Sequence, residues 1–342
     1  MSGAIICDRC HKLRRASLGE AAGPRAQMLA LPGCGCQHLS PHDACLRLLA
    51  PGCGPLAEVS ARYSEETGFW VAVAKGADVR VLGAVADVAL GLGADVGEAV
   101  ARASGEVLER YGAALVPPDS PTRIPLARWD GSPCGDGPAA DAWLPYHRHG
   151  MPVLPVRSSG LAFDFRRTDA LRAASCEKME RQAIDALLHN GLGFARPLGS
   201  IPLGRLAVRA FTLPAPVPVA LALLAGPSGA IMAAGAAAAA NEADALAEAG
   251  REVAIDWLLA AGAVLPGSGV IPAALLGPLA GTRLPEWPRS TGADARSKPI
   301  NAARVIRNSF GFADLTPADI AIAGGFVTRA MATMADPCLM RW

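Results

Sequence analysis

Residues 213–240, LPAPVPVALALLAGPSGAIMAAGAAAAA, form a run of 28 residues without one charged side chain. A run of that length can cross a bilayer as one helix or fill a protein interior in shorter pieces. Pro214, Pro216, Pro218 and Pro227, with Gly226 and Gly229, interrupt it. Proline removes a backbone donor and clashes with the preceding helical turn, so one continuous helix is excluded. The run is expected to be a buried strand, a turn and a second buried strand. GPSGA (226–230) is then the connecting turn, because a phosphate loop needs a lysine and a following helix start. Two strands this apolar need a large core around them. A chain of 342 residues, 51% hydrophobic and 18% charged, can supply one.

Elsewhere strands and helices alternate. TGFWVAVAK (67–75) and VRVLGAVADVAL (79–90) alternate as strands do, with a turn at Gly76. Residues 95–115 carry Val96, Ala99, Val100, Ala103, Val107 and Leu108 on one side, which predicts a helix with Asp95 as its N-cap. Residues 116–150 hold seven prolines among Gly and Asp and are expected to be a connection without regular structure. MPVLPVRSSGLAFDF reads as a strand and turn. A helix of about twenty residues from Thr168, a third helix over 241–261, a loop over 264–300 and a last helix in INAARVIRNSFGF complete the pattern. The fold class is α+β, a mixed α/β chain with helices packed on sheets.

Charge and cysteine usage narrow the function. Thirty-two basic against 31 acidic residues leave a net charge of +1, which excludes a nucleic-acid binder driven by bulk electrostatics. The start, MSGAIICDRCHKLRR, has charges where a signal peptide has its apolar core, so a cytoplasmic protein is expected, with neither secretion nor a membrane anchor. Six of nine cysteines fall in the first 53 residues. Without secretion a disulfide framework is not expected. Cys7, Cys10, Cys34 and Cys36 have the donor chemistry of a closed structural zinc site, with His11, His38 and Cys45 as substitutes. The single spacer in the second pair leaves free thiols as the other reading. Residues 1–55 are accordingly set apart from 56–342.

The motif Glu-x-x-Glu-Arg occurs twice, as Glu106, Glu109 and Arg110 in GEVLERY and as Glu177, Glu180 and Arg181 in CEKMER. Carboxylates at i and i+3 on a helix lie roughly 5–6 Å apart at Cβ and repel unless a cation or a basic side chain joins them. Two such pairs suit magnesium, which takes a few carboxylates and leaves the remaining positions to water and phosphate oxygens. A solvent-exposed helix face with Glu–Arg pairs is the plain alternative for either instance alone. His147 and His149 read as loop residues, and Cys176 as a buried thiol.

The surroundings of the two motifs resemble the YcaO family, enzymes that use ATP to activate peptide-backbone amides. The family's first motif follows a Gly-Lys-Gly turn; here Gly91 and Gly93 precede Glu106, Glu109 and Arg110 in GLGADVGEAVARASGEVLERY. The second is matched by Ser158, Gly160, Ala162, Asp169, Ala170, Glu177, Glu180 and Arg181 in SSGLAFDFRRTDALRAASCEKMER. Ala245, Leu246 and Glu252 resemble the third motif, and DLTPADIAIAGGFVTRAM, with Arg329, the fourth. The resemblance spans residues 65–338, with the motifs in order. It departs at Leu92 for the Lys, Arg102 for a Ser, Ser159 for an Asn, Asp164 for a Gly and Ile255 for a Gln.

The resemblance implies a YcaO-like domain over 56–342 that binds ATP and magnesium. Glu106, Glu109, Glu177 and Glu180 would hold the metal. Ser158, Asp169, Arg181, Glu252 and Arg329 would contact the nucleotide. It implies azoline formation on a precursor peptide, as in bacteriocin and antibiotic biosynthesis, with a leader-binding E1-like partner and a flavin dehydrogenase as further partners. Which residue acts as nucleophile and whether the chain oligomerises stay open. The departures also leave room for a catalytically impaired scaffold that docks a precursor peptide or a partner enzyme.

Overall fold

A computed structural model describes residues 2–6, 13–17, 55–76, 88–115, 122–142, 159–191, 194–261, 301–317, 320–321 and 325–331. The chain divides into two compact units, Met1–Ala174 with Gly311–Met331, and Ser175–Phe310 with Ala332–Trp342. The cysteines 7, 10, 34 and 36, and Ser158, lie outside the described residues.

Among the described residues, the first unit holds three sheets. Strands β1 (Ser2–Ile6) and β2 (Leu13–Ser17) make an antiparallel pair. Strands β3 (Leu56–Ser64), β4 (Phe69–Gly76) and β5 (Val88–Gly93) form an antiparallel meander in that order. Helix α1 (Val96–Ala114) follows two residues after β5. Its N-cap is Asp95, whose carboxylate accepts from the Glu98 amide at 2.8 Å, while Glu98 accepts from the Ala94 amide at 2.9 Å. Reciprocal capping of this kind satisfies amides that the first turn leaves without partners.

The expected connection over 116–150 is corrected. It contains β6 (Arg123–Ala127), β7 (Pro133–Pro138) and the short helix α2 (Ala139–Ala142). The prolines fit because β7 is an edge strand with proline at its first and last positions, and β6 meets its second neighbour only through Ala127. Edges and strand ends are where a missing donor is tolerated. The five-stranded sheet is completed by β13 (Gly311–Asp314), β14 (Phe326–Met331) and β8 (Leu161–Asp164), in the order β7-β6-β13-β14-β8. Val96, Val100, Val107 and Leu108 of α1 enter one core with Ala72, Ala89, Leu161 and Val327, so the helix packs against both sheets.

Helix α3 (Arg167–Asn190) begins in the first unit and ends in the second. The second unit contains β9 (Arg196–Leu203), β10 (Leu206–Leu213), β11 (Val219–Ala225) and β12 (Ile231–Ala238), an antiparallel meander with β9 and β12 at its edges. The apolar run therefore folds as expected. β11 is buried from Val219 to Leu224, as a strand covered on both faces should be. The predicted turn closes through Gly226, whose amide donates to Ala230 O at 2.9 Å. Helix α4 (Glu242–Ala260), N-capped by Asn241, folds back over this sheet, and α5 (Ala302–Asn308) follows the segment 262–300. No helix among the described residues is long and apolar enough to cross a membrane.

Candidate nucleotide and metal site

Each Glu-x-x-Glu-Arg motif is helical, but the two stand in different units. On α1, Arg110 pairs with Glu106 at 2.5 Å and donates to Val88 O at 3.1 Å, tying the helix to the start of β5. Glu109 accepts from the amide of Phe163 on β8 at 3.1 Å. About two turns earlier, Arg102 pairs with Glu98 at 3.0 Å. Both glutamates therefore sit on a partly exposed stripe of α1 with its acids already answered by arginine or by a strand amide.

The glycines before this helix have a specific task. A Cβ on Gly91 would collide with Ala103 N, and one on Gly93 would stand 2.5 Å from Ala99 N. Both residues therefore press against α1, and strand alternation turns Leu92 to the opposite face. There it lies opposite Val71, and both are 1% exposed. The position matching the family's lysine is thus an apolar core position in this chain.

The second motif is more strained. On α3, Glu180 is 12% exposed, and Arg181 stands 3.5 Å from it and 3.8 Å from Glu177. Burial pushes the Glu180 carboxyl up to about 8, against the pull of Arg181, and repulsion from Glu177 and Glu252 adds to the rise. Three carboxylates from two helices of the second unit thus share one electrostatic neighbourhood. Arg181, near both Glu177 and Glu180, offsets part of that repulsion. Among the described residues no group of three His, Cys, Asp or Glu side chains is arranged to hold a metal ion.

Other predicted residues have structural partners. Asp169 is held by Arg166 at 2.9 Å and Arg172 at 2.8 Å at the start of α3. Burial raises the neighbouring Asp164 carboxyl, opposed by its bond from the Arg166 amide, and the Asp169 charge adds to the rise. Arg329 is 8% exposed and donates to Ala142 O at 3.0 Å. In the fourth motif, Asp314 accepts from both the amide (3.0 Å) and the hydroxyl (2.6 Å) of Thr316, whose hydroxyl accepts from the Val327 amide at 3.0 Å. This bracket joins β13 to β14. Ser159 is 7% exposed, and Ile255 is half-buried on α4.

Sequence reasoning missed Asp256. It is fully buried on α4 and accepts from the Ala234 amide at 2.9 Å. The signal was an aspartate inside the apolar stretch VAIDWLLA, one turn after Glu252.

No family model and no curated protein matches the sequence. Solved structures do match the fold. YcaO from Methanopyrus kandleri, bound with AMPPCP and Mg2+, aligns at TM-score 0.58 and 16% identity, over 84% of this chain and 87% of that one. A heterocyclase in complex with substrate and cofactor aligns at 0.61 and 15%, over 86% of this chain but 52% of that longer one. A chain of the E. coli microcin synthetase McbBCD complex aligns at 0.52 and 15%, over 83% of this chain and 89% of that one. At these identities the likeness establishes the fold: this chain has the α+β fold of YcaO.

Proposed function

We propose that the chain is a YcaO-type enzyme that uses ATP to activate a backbone amide of a precursor peptide for azoline formation. The observation that carries this reading is the crowding of Glu177, Glu180 and Glu252, with Arg181 beside them. The solved structure with AMPPCP and Mg2+ supports the same ligands.

Magnesium nucleotide supplies the phosphoryl group that makes the amide oxygen a leaving group. As the family resemblance implies, Glu106 and Glu109 on α1, and Glu177 and Glu180 on α3, would each supply metal ligands beside phosphate oxygens, in keeping with magnesium's small demand for protein ligands. Arg181 offsets phosphate charge, and Glu252 completes the acidic shell. Glu180 must give up its proton when a cation arrives. The rest of the task is positioning: holding the peptide amide in line with the phosphoryl group and keeping water out. A Cys, Ser or Thr side chain of the peptide then attacks the amide carbon, and the activated oxygen departs with phosphate. A precursor peptide and a leader-binding partner are the expected associates, since the structural neighbours include a synthetase complex and a heterocyclase with substrate.

A second reading, a scaffold that docks peptide or partner without catalysis, is favoured by Leu92. Its burial beside Val71 means no cation reaches a phosphate from that position. The chain with its peptide and partner, assayed for magnesium-dependent phosphate release and for loss of one water per ring, separates the two. Nucleotide binding without either product supports the scaffold.

A further inference from the structure

We propose that Asp256 is a positioning residue: it fixes α4 against the free edge of β12 and thereby holds Glu252 in place. The inference rests on Glu252 belonging to the nucleotide site as read above.

The amide that Asp256 accepts points out of the sheet. The Ala239 amide donates to Pro218 O, and bonded pairs alternate along an antiparallel ladder, so Ala234, opposite Leu223, turns its amide away from β11. Among the described residues β12 is the edge strand, and no further described strand satisfies that amide. Asp256 Oδ2 does so at 2.9 Å. The next residue, Gly235, has no room for a side chain: a Cβ there would collide with Val253 N and lie 2.6 Å from Ala249 O. Helix and strand are thus clamped at two successive positions, one by contact and one by a hydrogen bond. Glu252 lies on the helical turn between Ala249 and Asp256, so its carboxylate inherits the register this clamp sets.

A carboxylate in this position is costly unless it has a specific partner, since an apolar helix face would otherwise exclude it. The same device recurs in the first unit. The Ala330 amide donates to Gly160 O, so the Phe163 amide faces away from β14 at the free edge of β8, and Glu109 of α1 accepts it. In each unit a helix carboxylate closes the free edge of a neighbouring strand, which sets helix register and covers an unpaired amide together.

The test uses the full chain with AMPPCP and magnesium as probe, and four variants: Asp256→Asn, Asp256→Ser, Glu252→Gln and the double variant Asp256→Ser/Glu252→Gln. Asn keeps an acceptor oxygen at the right reach; Ser tolerates burial but is too short. Asp256→Asn should keep the Ala234 amide slow to exchange and the affinity within about twofold of wild type. Asp256→Ser should speed that exchange and weaken nucleotide binding about tenfold, as loss of a buried hydrogen bond does. In the Glu252→Gln background, Asp256→Ser should cause no further loss of affinity. Unchanged exchange or affinity in Asp256→Ser overturns the inference, and so does an equal loss in both backgrounds, which would be general damage. A wild-type chain that binds no nucleotide overturns the functional reading and the inference with it. That outcome is recognisable because the exchange measurement needs no nucleotide.

Discussion

Replacing Glu180 by Gln tests the acidic cluster through stability alone. The carboxyl titrates from an ordinary 4.5 to about 8 in the folded chain, chiefly because it is buried. The folded pKa is the higher one, so between these values the folded state carries a proton that the unfolded state has lost. Stability is then full below pH 4.5, declines by about 1.4 kcal/mol per unit through the window, and levels off above about 8. From pH 6 to 8 the decline is about 2 kcal/mol, allowing for half-titration at the upper end. Glutamine keeps the shape and stays neutral, so Glu180→Gln should lack this decline. Its melting temperature relative to wild type should rise by roughly 3 °C between pH 6 and 8. Differential scanning fluorimetry across that range reads the difference. Parallel pH profiles for the two proteins would refute the burial and crowding assigned to Glu180.

Four further outcomes are expected. Leu92→Lys places an ammonium where Leu92 is 1% exposed, and should cost about 3 kcal/mol or more in urea unfolding without tightening nucleotide binding; a tighter-binding, equally stable variant contradicts the placement of this residue. Gly235→Ala drives a Cβ into Val253 N and should destabilise by about 3 kcal/mol, read by urea unfolding with Ala237→Gly as a control on the same strand. Glu109→Gln retains an acceptor for the Phe163 amide and should unfold within about 1 kcal/mol of wild type, whereas Glu109→Ala should lose about 2 kcal/mol. Metal analysis of the purified chain should give about one zinc per chain if Cys7, Cys10, Cys34 and Cys36 form the closed thiolate site, and none after Cys7→Ser with Cys10→Ser.

The strongest local patterns were legible in the sequence. The apolar run became β11 and β12 because proline and glycine leave no other use for it, and Asp95 caps its helix because the sequence offers an acceptor at that start. The β6–β7 hairpin was not legible, since proline density suggests a loop and only edge pairing makes it compatible with a strand. Leu92 could be matched to a lysine by alignment, but its direction depends on Gly91 and Gly93 meeting α1, a tertiary contact. Asp256 was invisible for a related reason: its partner is a backbone amide 22 residues away, exposed only because β12 lies at an edge.

Titration calorimetry of AMPPCP with and without magnesium, on wild type and Glu106→Ala, tests the central claim most directly. Magnesium-dependent binding in the wild type, weakened at least tenfold by Glu106→Ala, is the result the nucleotide-site account predicts. No binding at millimolar nucleotide, or identical binding by the two proteins, would contradict it.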